Sequence, residues 1–335
     1  MRTIAGRLQG ERGALLAFGA AIAVLLLGGL YRPTMLLPSN VATLFLLASF
    51  VGIAAAGQTF VILVGGIDLS LPWVLNAMAV LLTTASLGLN GRAWWSIPLA
   101  LGGGVLVGTI NGLGIVALEI PPVVMTLGMN GVMQGLVLGL TGGFTCQACN
   151  SYAPPDLQWA FTGHAISGVP NGLLVWAVVA IECGIILGMT VFGRRIYAVG
   201  TSRLASYLAG VDVDRTTVAA YALSGFFAAL AGLGLAAFGQ QATLGMGDPY
   251  LFDSIAAVVT RRRVDPGRPR KLLGHGRGRD LHHRATLGTS GIQHRRGRPE
   301  HRLGRCDPRR AVALRARGTR AMTTHSTHAE SSKRD

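Results

Sequence analysis

Long apolar segments that contain no lysine or arginine are the feature that most limits what this chain can fold into. A helix needs about 20 mainly apolar residues to cross a bilayer. Backbone polar groups must be satisfied within the chain in lipid, and no period-two pattern typical of a barrel is present, so helices are predicted. The predicted spans are Ala14–Leu30, Ala42–Val64, Leu71–Leu89, Ser96–Leu118, Val123–Thr141, Gly172–Phe192 and Thr217–Phe238. An eighth begins at Leu251 and stops at Val259, so the expected fold is all-α, a polytopic transmembrane helix bundle with about seven complete spans and a truncated eighth.

The net charge of +15 lies entirely at the end of the chain. Residues 1–259 carry nine basic and nine acidic side chains, whereas residues 260–335 carry 21 basic and 6 acidic side chains. Charged residues make up 13% of the whole chain, against about 25% in soluble domains. We therefore predict a transmembrane domain over residues 1–259 and a disordered, arginine-rich tail over residues 260–335.

The distribution of arginines predicts the orientation of the spans. Positively charged loops stay in the cytoplasm, and a cytoplasmic N-terminus places seven arginines inside and only Arg32 and Arg92 outside. The inside set is Arg2, Arg7, Arg12, Arg194, Arg195, Arg203 and Arg215. The apolar stretch of the first span is long and no small-x-small cleavage site follows it, so a retained first helix is expected.

Small residues recur at every fourth position in three spans, a spacing that lets helices approach closely in lipid. The three sets are Gly104-Gly108-Gly112, Gly131-Gly135-Gly139 and Ala228-Gly232-Ala236. Outside the membrane, Cys146 and Cys149 form a CxxC pair that is expected to be a local disulfide or a redox pair. A zinc site would need further ligands, and no metal site is predicted.

Polar residues inside or beside the spans are the candidates for a transport path. Asp68, with Ser70, lies in a glycine-flanked break between the second and third spans, and it is either a helix cap or part of a gate. Glu182 lies in the middle of a span, where a carboxylate is expected to face the bundle interior. Four amides, which either bind a polyol substrate or tie helices together, complete the set: Asn76, Asn111, Asn130 and Gln134.

The inside loop over residues 193–215 is longer than a topology signal requires. We expect a short helix over Ser202–Leu208, ended by Gly210, which suits a groove on a motor subunit. A phosphate-binding loop needs Gly-Lys-Ser/Thr, and the only lysines, Lys271 and Lys333, are preceded by Arg270 and Ser332. No ATP site is therefore predicted in this chain, and ATP used in transport would be hydrolysed by another subunit.

Three blocks in matching order and spacing resemble the permease subunits of ribose/xylose-type sugar ABC importers. The blocks are GQTFVILVGGIDLSL at 57–71, NGLGIVALEIPPVVMTLGMN at 111–130 and FGRRIYAVGTSRLASYLAGVDVDRTTVAAYALSGFFAALAGL at 192–233. The resemblance implies a second permease subunit, two ATP-binding subunits and an extracytoplasmic sugar-binding protein as partners. It also implies that the loop at 200–211 contacts the ATPase, with Arg195, Gly200, Ser202, Ala205, Leu208 and Gly210 as the coupling residues. Residues 202–206 depart from the Asn-rich, acidic pattern of the family. Because these residues lie in the loop expected to contact the ATPase, the difference bears on which ATPase is the partner.

The function expected from these observations is import of a small sugar by an inner-membrane permease subunit that performs no covalent chemistry and binds no cofactor. One alternative is an ion-coupled secondary transporter that uses Glu182 or Asp68 as its ion site. Another is a membrane-tethered protein whose basic tail binds nucleic acid, although no nucleic-acid partner is expected if the tail is out of frame.

The tail suggests that the coding frame has shifted near Thr260. When the degenerate codons of residues 260–284 are read one nucleotide later, they permit GGASILGGRGSYWGTVAGATFIT, the glycine-rich continuation expected of the family. The shifted reading of Met322-Thr323 contains a stop codon, after a short charged end. A frameshift would replace the last spans by a polar segment, so we expect transport by the chain as written to be impaired.

Overall fold

The structure, a computed structural model, describes residues 19–20, 22–143, 151–166 and 168–262, with the backbone alone given for the last four. These residues form an all-helical bundle, which confirms the predicted fold class. Its helices are α1 Ile22–Tyr31, α2 Pro38–Val64, α3 Leu71–Ser86, α4 Asn90–Ala117, α5 Pro122–Thr141, α6 Pro155–Thr162, α7 Asn171–Met189, α8 Val191–Thr201, α9 Arg203–Leu208, α10 Val213–Gly239 and α11 Asp248–Arg262.

Five of these helices, α2, α4, α5, α7 and α10, are long and apolar enough to cross a membrane. The prediction of seven complete spans is therefore too high for the described residues. Helix α3 has 16 residues, or about 24 Å at 1.5 Å per residue, which is less than the ~30 Å of hydrocarbon. Helix α1, Ile22–Tyr31, covers the second half of the predicted span Ala14–Leu30, of which residues 14–18 and 21 lie outside the described residues.

Helix α10 forms the centre of the bundle, and about two thirds of its most apolar 18-residue segment is buried. It packs along α4 through the predicted glycine set. A Cβ on Gly104 or Gly108 would overlap a backbone carbonyl of α10, and one on Gly112 would lie 2.7 Å from the Cα of Val218. Gly232 contacts the carbonyl of Leu75 in the same manner. Two of the three predicted small-residue sets therefore pack as expected, because backbone contact at these positions leaves no room for a side chain.

The third set, on α5, packs against none of the other helices that the structure describes. Apart from the backbone of α5 itself, no atom of the described residues lies within 4 Å of a Cβ placed on Gly131, Gly135 or Gly139. Only 17% of the most apolar 18-residue segment of α5 is buried, so this helix lies at the edge of the bundle. The four-residue spacing was therefore not sufficient to predict a contact within the chain.

Two breaks interrupt the membrane helices. Helix α2 ends at Gly65, whose φ of +94° favours glycine, and residues 65–70 then return along α10 before α3 begins. The predicted sixth span divides at Thr190, where an extended residue separates α7 from α8 and the Thr190 hydroxyl accepts a hydrogen bond from the Gly193 N–H. A good part of the loop predicted at 193–215 is therefore helical, including Arg195 and Gly200.

A third irregular segment connects α10 to α11. It begins beside the loop before α6, where the Ala153 N–H donates to the carbonyl of Gln240. It ends at Gly247, which contacts the carbonyl of Pro72 in the first turn of α3. Helix α11 runs over Asp248–Arg262, longer than the predicted Leu251–Val259, yet its 15 residues are still fewer than a span requires.

Candidate functional site

The break between α2 and α3 holds a buried carboxylate in the middle of the bundle. Asp68 is 1% exposed. Its Oδ2 accepts a hydrogen bond of 2.7 Å from Ser224, which lies eleven residues after the start of α10, or about 16 Å along that helix. Its Oδ1 accepts from the hydroxyl of Ser70 at 2.6 Å and from the N–H of Ser70 at 3.0 Å. Three neutral donors therefore hold the carboxylate between α3 and α10.

Two buried amides extend this network to α2 and α4. The side-chain amide of Gln58 pairs with the backbone of Asp68 in both directions, at 2.7 Å to the carbonyl and 3.2 Å from the N–H. Asn111 donates to the hydroxyl of Ser70 over 2.8 Å. Gln58, Asp68, Ser70, Asn111 and Ser224, here called the Asp68 network, thus join four helices through one short segment.

This geometry changes the interpretation of Asp68 as a helix cap. Helix α3 begins at Leu71, and its N-cap residue, Ser70, makes no side-chain capping bond. Asp68 instead lies two residues before the cap and bonds across to α10. Within the part of the chain that the structure describes, no salt bridge involves Asp68, so hydrogen bonds alone compensate its burial.

The remaining polar candidates lie apart from this network. Asn76 is buried and donates to the carbonyl of Thr243 at 2.7 Å, which ties α3 to the segment before α11. Asn130 is half-buried and Gln134 exposed, both on α5 at the edge of the bundle. The structure therefore brings together Asp68, Ser70 and Asn111, but not the other three predicted pathway residues.

The expectation that Glu182 faces the bundle interior is wrong for this chain. Glu182 is exposed on the outer surface of α7, whereas Val179 and Cys183 form the buried face of that helix. Apart from Glu182, the middle of helix α7 is apolar on every side, so the other residues of the helix did not indicate which face would pack. Cys146 and Cys149 lie outside the described residues.

The predicted short helix after α8 is present. Helix α9 spans Arg203–Leu208, and the hydroxyl of Ser202 caps it by accepting from the Ala205 N–H at 3.2 Å. Gly210 follows with a φ of +78°, as expected of a helix stop. Three large apolar side chains on α9 are exposed: Leu204 at 70%, Tyr207 at 71% and Leu208 at 76%.

Helix α8 connects this surface to the break. Gly200, in the last turn of α8, lies against the carbonyl of Leu63, so closely that a Cβ would overlap the oxygen. Leu63 precedes the break by one residue, Val64. Gly66, inside the break, contacts the hydroxyl of Tyr221 on α10 in the same way. Gly200, three residues before α9, thus contacts the end of α2 directly, and the break that follows α2 contains Asp68.

Sequence reasoning did not identify Gln58, Ser224 or Tyr221 as site residues. A signal was available for the first two, since each is a polar residue within an apolar helix that must find a partner there. Their pairing with Asp68 joins residues 10 and 156 positions apart, and only the tertiary structure shows it.

Comparison with known proteins gives a consistent result. A family described as branched-chain amino acid transport system / permease component matches residues 40–260, which include the break and α9. The ribose import permease protein RbsC of Haemophilus influenzae is 30% identical over 72% of this chain and 75% of its own. A probable ABC transporter permease of Sinorhizobium fredii is 30% identical over 77% and 76% of the two chains. The autoinducer 2 import permease LsrC of Klebsiella pneumoniae is 35% identical over 67% and 63%.

No solved structure matches this chain. The relatives do not support the ion-coupled secondary transporter considered above, because they are named as permeases of ABC and import systems. The chain is a multi-pass membrane protein, and it belongs to the family of branched-chain amino acid transport system permease components.

Proposed function

We propose that this chain is the permease subunit of an ATP-driven importer for a small sugar or a similar polar solute. The observation that carries the proposal is the family match over residues 40–260, together with relatives named for import of ribose and autoinducer 2. The partners would be ATP-binding subunits, an extracytoplasmic binding protein and a second permease subunit. The N-terminus would lie in the cytoplasm, so that α9 faces the ATPase.

In this proposal, the exposed apolar surface of α9 is the contact with the ATPase. Leu204, Tyr207 and Leu208 project from a six-residue helix, and side chains of this size supply much of the energy of protein contacts when a partner buries them. Closure of the ATPase would then displace α9 and, through Ser202, the end of α8.

The displacement would reach the membrane through Gly200. Its contact with the carbonyl of Leu63 transmits movement of α8 to the end of α2, next to the break. In one state the Asp68 network keeps the break in its present position, and in the other the network shifts together with the break. These two arrangements would correspond to the two states of alternating access. Asp68, Ser70 and Asn111 act here as positioning residues of the gate, with Asn76, Asn130 and Gln134 as candidate contacts along the path.

A pull-down experiment tests the contact with the ATPase. We expect Leu204→Glu and Tyr207→Glu to reduce capture of a co-encoded ATPase by at least tenfold, because each places a charge in an apolar interface. Ala205→Glu and a bulky residue at Gly210 are expected to act in the same direction. The matched control is Trp159→Glu on α6, an exposed aromatic residue outside the α8–α9 region, which should leave capture unchanged.

Equal capture of the ATPase by the α9 variants and the unmodified chain would contradict this assignment. Circular dichroism of the purified variants would establish that each retains its helical content, so that loss of capture reports on the contact and not on folding.

A further inference from the structure

Helix α8 lies across the end of α2 at the depth of the membrane surface. Helix α7 has 19 residues, or about 28 Å at 1.5 Å per residue, which matches the ~30 Å of hydrocarbon, so its last residue, Met189, lies at the boundary. The ring centroids of Phe192 and Phe60 are 6.5 Å apart, and Gly200 contacts the carbonyl of Leu63. Both ends of α8 therefore contact the last two turns of α2, and the helix keeps this depth instead of leading away from the membrane.

The exposed apolar surface of α7 leads directly to α8. Ile181, Ile185 and Met189 are exposed, and their spacing of four residues places them on one face of α7. Val191, at the start of α8, is also a large apolar side chain that is exposed. Apolar side chains in a membrane helix that no other helix covers are suited to contact with lipid. The lipid-facing surface thus extends to the first residue of α8.

Two arginines follow at the level of the lipid headgroups. Arg194 and Arg195 lie three and four residues after Val191, which places all three on neighbouring positions of the α8 surface. Both arginines are exposed, and neither forms a salt bridge or a side-chain hydrogen bond within the described part of the chain. Among those residues, the ion pair that does form joins Arg215 to Asp212. Two positive charges without a protein partner therefore adjoin a lipid-facing surface.

We propose that Arg194 and Arg195 bind the headgroup phosphate of an anionic phospholipid whose acyl chains lie along the exposed face of α7. A guanidinium pairs with two phosphate oxygens, and the lipid supplies the negative charge that no described carboxylate provides. Each basic side chain near an anionic membrane surface strengthens binding about fivefold. The bound lipid holds α8, and with it Gly200, against the end of α2. This lipid site is independent of the proposed transport function.

Tryptophan quenching by brominated phospholipids tests the proposal at the site itself. The full-length chain with Val191→Trp is reconstituted into mixed bilayers of phosphatidylglycerol and phosphatidylcholine, with bromine on the acyl chains of one lipid at a time. The quenching added by the substitution reports the lipid composition around residue 191. We expect phosphatidylglycerol to be enriched there by at least about fivefold over the bulk bilayer. A local composition equal to that of the bulk overturns the proposal.

Substitution of both arginines then identifies the binding groups. Arg194→Gln with Arg195→Gln should lower the enrichment below about twofold, whereas lysine at both positions should retain most of it because the charge is kept. The matched control replaces Arg92 and Arg215, two exposed arginines elsewhere in the bundle, by glutamine. All variants keep the basic residues of 260–335, so lipid attracted by that segment is a constant background. Unchanged enrichment in the glutamine variant, or an equal loss in the control, overturns the assignment.

Contact with the ATPase is the competing role of Arg195, because the family resemblance includes this residue among the coupling residues. We expect the Arg194→Gln, Arg195→Gln chain to capture a co-encoded ATPase as well as the unmodified chain does, since both side chains face lipid. Circular dichroism verifies that its helical content is retained. Loss of capture with unchanged phosphatidylglycerol enrichment overturns the lipid site in favour of the ATPase contact. Loss of enrichment supports the lipid site, whatever the capture.

Discussion

The carboxylate of Asp68 shows how a single buried group organises this bundle. It is surrounded by neutral donors from α3 and α10, and its own backbone is paired with Gln58 of α2. The hydrogen bonds of such a buried acceptor contribute only modestly to the free energy of unfolding. Removing the acceptor costs more, because several buried donors are then left without partners. The importance of Asp68 to the fold therefore follows from its neighbours and not from its position before a helix.

Replacing Asp68 should measurably lower the stability of the bundle. We expect Asp68→Ala to reduce the free energy of unfolding by about 2–4 kcal/mol, because the N–H and hydroxyl of Ser70 and the hydroxyl of Ser224 lose their acceptor. Asp68→Asn retains one acceptor oxygen and should have a smaller effect. Thermal melting in detergent, followed by tryptophan fluorescence, measures both.

The control for this comparison is Asp156→Ala. Asp156 is exposed in the first turn of α6, where an acidic side chain contributes ~1 kcal/mol at most. A melting temperature of Asp68→Ala equal to that of Asp156→Ala would show that the Asp68 network does not stabilise the fold.

At the scale of elements, the bundle depends on which glycines contact a neighbouring backbone. Helix α4 carries both kinds: Gly108 lies against the carbonyl of Tyr221, whereas no described residue outside the α4 backbone lies within 4 Å of a Cβ placed on Gly102. Since association in lipid depends on close packing, the first glycine fixes the distance between α4 and α10 and the second does not.

This difference predicts opposite effects of the same substitution. Gly108→Ala should lower the free energy of unfolding by about 1–3 kcal/mol, because the added methyl group forces α4 away from α10. Gly102→Ala should be neutral or stabilising by up to ~1 kcal/mol, since alanine favours a helix more than glycine does. Melting experiments on the two variants in the same detergent provide the measurement, and equal losses in both would refute the contact with α10.

At the scale of the whole molecule, the described bundle ends in a helix that is too short to span a membrane. Helix α11 has 15 residues, and the family match ends at residue 260, where the net positive charge of the chain begins. The predicted frameshift near Thr260 would account for both observations, since a reading frame shifted by one nucleotide permits an apolar continuation. The domain boundary at 259/260 and the frameshift remain predictions.

Sequencing of the gene and an uptake assay together test this prediction. We expect the chain as written to give background uptake of labelled ribose in cells that also contain the ATPase and the binding protein. A gene read one nucleotide later from codon 260 should restore uptake, because it supplies apolar residues where the present tail carries charges. Ribose is the probe, and immunoblotting of membranes controls for the amount of each protein. Clean genomic reads without a shift, or full uptake by the present chain, would contradict the prediction.

The sequence by itself determined the class of fold, most helix boundaries and the existence of α9. These features depend on local properties: apolar length, a capping serine at 202, and glycine at 65 and 210 where the backbone requires a positive φ. The tertiary structure decided which faces pack. It placed Glu182 outside, left the α5 glycines without a neighbour among the described residues, and joined Asp68 to Ser224 across 156 residues. In helices that are apolar on every side, the sequence alone cannot distinguish these arrangements, because contact between backbones and buried hydrogen bonds select the packed face.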